Sequence, residues 1–356
     1  NKTKYLGNVA RAKKIRIGVD IGTNAIKVAA YYSKKSSRKH AKLLKYDFLE
    51  EDVVKNVMEI NETHIMTGVK TLLSQLPYKR ADINVGLSAK YQNLFFLQLP
   101  QIATHELKQA LFWELSPLLA DPADNYDYDF ALLPQSQKKK LNVILAVIKK
   151  NRIEWIGNLF KSLNTSIKVL ETSTLPTVQL FHKMNPKITE AVGILQLGGT
   201  NSHYTIIDSS QHPEFLYLPF GGNNLNSIIA KSADVSFIEV EYLRRGVLEV
   251  SSNDQPITAL YMENKIVGQK LKELSLTIRK LNFRHFYNTG QKVEKLYVTG
   301  GLLNDSFIKS FFTLSEEIME IPAEIWDPIL DYYPDIELTT GNQYQFSTAI
   351  GLALRS

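Results

Sequence analysis

Ile17-Gly18-Val19-Asp20-Ile21-Gly22-Thr23-Asn24-Ala25-Ile26-Lys27-Val28 decides how this chain is read. Ile15, Ile17 and Val19 alternate toward one face of a strand, and Gly22-Thr23-Asn24 makes a turn. Ile26 and Val28 then alternate in a second strand that ends near Tyr32. Asp20 places a carboxylate at the strand end, and the glycine turn follows at once. A tight turn points successive backbone N–H groups inward, where they can receive phosphate oxygens. Glycine has no Cβ, so those oxygens can reach the main chain. Thr23 and Asn24 add short polar side chains, and Lys27 adds a positive charge. Asp20 suits Mg²⁺ held through water, because that ion keeps part of its hydration shell. The competing reading of one such turn is an ordinary hairpin with a surface aspartate.

The same plan returns in the second half. Val192-Gly193-Ile194-Leu195 reads as a buried strand that runs into Gln196-Leu197-Gly198-Gly199-Thr200, followed by strands at His203 to Ile207 and Phe215 to Leu218. This is an internal duplication on the scale of a domain rather than a short repeat. A further strand, Lys295 to Val298, ends in Thr299-Gly300-Gly301, a close-approach site suited to the sugar and base side of a nucleotide. Two turns that each open a lobe are what a phosphate clamp requires. In this order the three favour the clamp over three unrelated hairpins.

Outward from these turns, the pattern predicts a first lobe from 14–80, 164–190 and 341–356, and a small subdomain inserted at 81–163. A second lobe follows at 191–340, with its own helical part at about 221–290. Helices are expected at Glu62 to Leu76, His105 to Leu119, Arg152 to Leu163 and Ser347 to Leu354. The 3–4 spacing of Val267, Leu271, Leu274, Ile278 and Leu281 predicts a long core helix under the nucleotide.

Composition narrows the function. The chain has 356 residues, 44% hydrophobic and 22% charged, as a folded two-lobed protein would. The absence of cysteine excludes disulfides, thiolate catalysis and Cys-ligated metal. The net charge of +6 fits an acidic lipid or acidic partner and does not argue for nucleic acid. No segment reaches the roughly 18 apolar residues of a membrane span. The polar, basic start from Asn1 to Lys14 reads as neither signal peptide nor anchor, so a cytoplasmic location is expected. The basic runs Lys34 to Lys39 and Lys138 to Lys140 read as solvated turns. The seven histidines show no pair at metal-ligand spacing. Glu114, mid-helix in the inserted piece, reads as a surface or partner contact.

With these residues in place, the chain resembles the actin, Hsp70 and sugar-kinase superfamily, and within it the PilM family of type IV pilus assembly. The opening, Ile17 to Lys27 with its lysine, is similar to that family's opening. So are Glu106-Leu107, Trp113-Glu114 and Asp127-Tyr128 in the inserted piece, Gly221-Gly222, and Glu239 to Gly246. Val298-Thr299-Gly300-Gly301 resembles the family's adenosine motif, and Asp327-Pro328 and Gly351 to Arg355 its last signatures. The resemblance implies an α/β, actin-like (ribonuclease H-like) duplicated fold with the small subdomain placed as in the division protein FtsA. It implies ATP or ADP with Mg²⁺, held by Asp20, Gly22, Thr23, Asn24, Lys27, Gly198, Gly199, Thr200, Gly221, Gly222, Gly300 and Gly301. It also implies a PilN-like inner-membrane partner whose cytoplasmic N-terminal peptide lies in a groove beside the inserted subdomain. The protein would then be peripheral to the inner membrane through partners, with other pilus machinery proteins or copies of itself as further contacts. Trp113, Phe95 and Phe96 could line that groove, but core packing is the expected role for each.

Two departures stand out. Gln196 opens the second turn where the family pattern has Asp. An amide can donate a hydrogen bond but cannot act as a base or balance a cation, so weak or no hydrolysis is expected. Arg279-Lys280 stands where the family has an Arg-Ser pair, so Lys280 is not expected at the site. Competing functions are a type II secretion component, an FtsA-like scaffold and a small-molecule kinase of the sugar type. Gln196 counts against the kinase. An FtsA-like scaffold would carry an amphipathic membrane helix beyond a linker, where this sequence has Arg355-Ser356.

Overall fold

Two five-stranded sheets built to one plan face each other across a central layer of helices. The computed structural model describes residues 15–32, 40–48, 62–88, 92–133, 140–208, 213–303, 305–329 and 343–355. In chain order the first part comprises β1 (Ile15–Ile21), β2 (Ala25–Tyr32), β3 (His40–Asp47), α1 (Glu62–Ser74), β4 (Ala81–Leu87), β5 (Gln92–Pro100) and α2 (Thr104–Leu115). It continues through β6 (Tyr126–Leu133), β7 (Lys140–Lys149), α3 (Lys150–Ser162), β8 (Ile167–Thr172) and α4 (Thr174–Met184). The second part comprises β9 (Ala191–Leu197), β10 (Ser202–Ile207), β11 (Glu214–Leu218), α5 (Gly222–Ala233), α6 (Phe237–Arg244) and α7 (Ile257–Met262). It closes with α8 (Lys265–Thr289), β12 (Val293–Gly300), α9 (Asp305–Met319), β13 (Ala323–Ile325) and α10 (Ser347–Leu354).

The first sheet runs β3-β2-β1-β4-β8 and the second β11-β10-β9-β12-β13. In each, the first three strands in chain order form an antiparallel meander, and two further strands add in parallel to the first. The duplication therefore extends from the strand–turn–strand units to all five strands of each sheet. The alternation that predicted β1 is met by full burial of Ile17, Val19 and Ile21 against Ile65, Val69 and Leu72 of α1. α8 packs its 3–4 stripe into the core of the second half with α5 and α9. Asn264 caps it by accepting from the amides of Ile266 and Val267.

A third apolar core joins the halves. Val178 and Phe181 of α4 and Phe346, Ile350 and Ala353 pack with Val192 and Ile194 of β9 and with Trp326. α10 is buried along its whole length, which explains its lack of an amphipathic pattern.

The inserted piece is smaller than the 81–163 expected. β4 is a member of the first sheet, paired in parallel with β1, and Ile156 and Phe160 of α3 pack in the first core. What remains is a three-stranded sheet, β5-β7-β6, with α2 on one face. A strand that alternates apolar residues looks the same whichever sheet it joins, so the boundary was not visible in the sequence. Lys34 to Lys39, Lys138 and Lys139 lie outside the described residues. Among the described residues no helix is long and apolar enough to cross a membrane.

Candidate functional site

The glycine turns after β1, β9 and β12 converge on one place. Asp20, Gly22, Thr23, Asn24, Lys27, Gly198, Gly199, Gly300 and Gly301 line a polar pocket of about 90 Å³. It opens beside a larger cavity of about 720 Å³ that shares Lys27, Gly198, Gly199 and Gly301 and adds Gly222. Thr200 and Gly221 stand one layer behind. Thr200 accepts a hydrogen bond from Asn223 Nδ2 at 3.2 Å. Gly221 packs so closely on the second turn that a Cβ there would lie 2.5 Å from the Gly199 carbonyl oxygen. Gly300 has φ +117°, and a Cβ on it would meet the Leu197 carbonyl oxygen at 2.1 Å, so only glycine fits.

The two turns touch. Asn24 Nδ2 donates to Asn223 Oδ1 at 2.7 Å, and Asn223 Nδ2 donates back to Asn24 Oδ1 at 2.9 Å. This amide pair ties the first turn to the start of α5. α5 in turn fixes the second turn: the amides of Gly222 and Asn223 donate to the Gly198 and Gly199 carbonyls at 3.0 and 2.7 Å. Those two helix N–H groups are therefore committed to the protein and do not serve an anion. The amides of Thr23, Asn24, Gly199 and Thr200, by contrast, find no acceptor among the described residues. Of these, Thr23 and Asn24 from the first half and Gly199 from the second line the pocket, so both halves contribute donors for the oxygens of one ligand.

The charges follow the same geometry. Asp20 is buried, and Lys27 Nζ donates to its Oδ2 at 2.7 Å. Gln196 Nε2 donates to Thr348 Oγ1 at 2.7 Å, while its Oε1 is buried without a partner in the pocket wall. The amide is thereby anchored to α10 with its acceptor left open. His203, in the same wall, is pushed down to about 4 by burial and is neutral at physiological pH.

The larger cavity contains a group of charges that motif reading missed. Lys45, Arg244 and Arg245 line it together with Leu243, Ile257, Thr258, Leu303, Tyr344 and Gln345. Glu241, fully buried, accepts from Arg244 Nε at 3.0 Å and Arg245 Nε at 2.7 Å, and the Asn226 amide donates to it as well. Arg245 also pairs with Asp47 of β3, which binds Lys45 at 3.0 Å. Burial pushes the Glu241 carboxyl up, but Arg244, Arg245 and Asn226 together hold it below its ordinary value. Burial likewise opposes the Asp47 charge, and Lys45 and Arg245 overcome it. Burial is the largest influence on Lys45 and lowers it. The visible signal was the spacing of Glu241, Arg244 and Arg245, which sets carboxylate and guanidinium groups on one helix face. Lys45 and Gln345 gave no local signal.

α8 is a core helix, as expected, and none of its residues lines the larger cavity. Arg279 pairs with Glu320 at 2.7 Å, and Lys280 borders a separate hollow. Of the three aromatic residues expected in the core of the small subdomain, Phe95 is there and Phe96 and Trp113 are not. Phe95 packs against the core under α2, but Phe96 is half exposed and Trp113 is 67% exposed. Trp113 lies about 200° around α2 from Leu111, on the solvent side. Phe96 sits on the sheet face away from α2, in register with Ile144.

Two sheets of identical order, with glycine turns facing one cavity between them, define the actin-like fold. The chain belongs to the family of the type IV pilus assembly protein PilM, whose family model matches residues 18–356. It is similar in structure to a PilM–PilN type IV pilus biogenesis complex, with a TM-score of 0.76, 18% identity, and coverage of 95% of this chain and 97% of that one. It is similar also to the ethanolamine utilization protein EutJ from Carboxydothermus hydrogenoformans, with a TM-score of 0.50, 13% identity, and coverage of 96% and 89%. No curated protein matches the chain in sequence.

Proposed function

We propose that the chain is an ATP-binding adaptor of the type IV pilus assembly platform at the inner membrane. It takes Mg-ATP or Mg-ADP between its halves and binds the cytoplasmic N-terminal peptide of a PilN-like membrane protein. The observation that carries this reading is the open amides of Thr23 and Asn24 from one half and Gly199 from the other, around one pocket that adjoins a cavity of nucleotide size. Among the described residues no group of three or more His, Asp or Glu side chains can hold a metal alone. Mg²⁺ would therefore enter with the phosphates, and Asp20 would hold its water shell. When bound, the ion supplies charge neutralisation to the phosphates. Lys27, now on Asp20, is placed to meet a phosphate oxygen. The guanidinium groups of Arg244 and Arg245 offer flat faces for a base in a cavity otherwise walled by Leu243, Ile257 and Tyr344.

Gln196 supports slow or absent turnover. Its Oε1, buried and unpartnered in the pocket wall, can accept a hydrogen bond but cannot act as a base at neutral pH. Neutral His203 adds no charge against the phosphates. The open face of the small sheet, at Phe96, is the surface we assign to the PilN-like tail. An extended or helical tail with one apolar face would cover it. Binding of this kind would hold the protein at the cytoplasmic side of the membrane.

Calorimetric titration of Mg-ATP into the wild-type chain and into Asp20→Ala, with turnover followed in parallel, tests the nucleotide part. The expected result is saturable binding that Asp20→Ala weakens at least roughly tenfold, with turnover below about one per minute. Absent binding, or faster turnover that disappears in Asp20→Ala, would overturn it.

A further inference from the structure

α8 carries two apolar faces. One packs into the core of the second half. The other, Leu276, Phe283, Phe286 and Tyr287, is open, with Phe283 69% and Tyr287 82% exposed. A solvent-facing helix surface needs no such set. Leu276, Phe283 and Phe286 border a hollow of about 700 Å³ whose far wall comes from the end of α9 at Met319 and Glu320. Its rim is positive. Lys280 and Lys292 line it without a carboxylate partner among the described residues, while Arg279 is taken by Glu320. The sequence holds no Asp or Glu between Glu273 and Glu294.

We propose that this hollow docks an acidic amphipathic helix of a partner protein. The shape is concave and apolar, so it accepts side chains spaced i, i+3, i+4 and i+7 along a helix. A lipid surface would instead engage protruding groups. The two uncompensated lysines call for carboxylates flanking that apolar stripe. A second copy of this chain would bring the same lysines against these, at a repulsive cost. The face lies on α8, whereas the tail surface assigned above lies on β5, so the two can be occupied independently.

A fluorescent synthetic helix of about five turns, with Leu and Phe on one face and Glu on both flanks, is the probe. Its counterpart has Lys for Glu. Fluorescence anisotropy is expected to show the Glu helix binding at least roughly tenfold more tightly than the Lys helix. Phe283→Ala with Phe286→Ala should weaken the Glu helix by roughly tenfold or more without moving the melting temperature. Lys280→Glu with Lys292→Glu should reverse the preference. Equal binding of both helices, or binding indifferent to Phe283 and Phe286, would overturn the proposal. So would Phe283-dependent capture of phosphatidylserine vesicles, or Phe283-dependent self-association in ultracentrifugation, with no binding of the Glu helix.

Discussion

Asp20 and Gln196 occupy equivalent positions near the ends of β1 and β9, and the chemistry they permit differs. Asp20 can balance a cation, whereas Gln196 is tied through its amide nitrogen to Thr348 and offers only an acceptor. Gln196→Glu keeps the length of the side chain and restores a carboxylate. It is expected to raise Mg-dependent ATP turnover by roughly tenfold or more, measured by phosphate release; unchanged turnover would show that the amide of Gln196 does not limit hydrolysis. The Asn24–Asn223 pair gives a second prediction. A double-mutant cycle of Asn24→Ala and Asn223→Ala, read by urea unfolding, is expected to show a coupling of about 1 kcal/mol. Asn24 was legible in the sequence because it sits in the turn. Asn223 was not, because its role depends on a contact across 199 positions of chain. Gly300 was legible as a turn residue, although only the structure shows that its φ of +117° and the Leu197 carbonyl forbid a side chain.

Among the elements, α6 joins the larger cavity to the first half. Glu241 holds two arginines, and Arg245 reaches Asp47 on β3, itself next to Lys45. Glu241→Gln would leave the guanidinium groups undercompensated in a buried site, and a loss of about 3 kcal/mol in stability is expected, checked by urea unfolding. The carboxyls of Glu241 and Asp47 lie below their ordinary values of 4.5 and 3.8. Because the folded values are the lower ones, their stabilisation is complete above those ordinary values. It is lost as pH falls through the folded values. The melting temperature should therefore decline below about pH 4.5, and less steeply in Asp47→Asn than in the wild type. Element reading of the sequence found β1, β2 and α8 because their periodicity is strong. It misassigned β4 and α3 because an alternating strand and a short amphipathic helix do not reveal which sheet they join. The exposure of Phe96 and Trp113 was hidden for the same reason: aromatic residues in an apolar strand or helix look like core until their neighbours are placed.

For the molecule as a whole, the duplication was legible from two glycine turns because each turn follows the first strand of a five-stranded sheet of the same order. The cavity between the sheets was not, since its wall draws on β3, α6 and the segment before α10. If the nucleotide joins the halves, saturating Mg-ATP at about a hundred times its Kd adds roughly 2.7 kcal/mol. The melting temperature should then rise by roughly 3–4 °C, and the at least tenfold weaker binding of Asp20→Ala should cut that rise to about half or less. Phe96 is half exposed on the face of the small sheet away from α2, and a switch would have to carry information from the cavity to that face. The most direct test is calorimetric titration of the cytoplasmic N-terminal peptide of the cognate PilN-like protein, with and without Mg-ATP. The account predicts saturable binding, an affinity altered roughly fivefold or more by Mg-ATP, and weakening by Phe96→Ala. No binding of the peptide in either condition would contradict it.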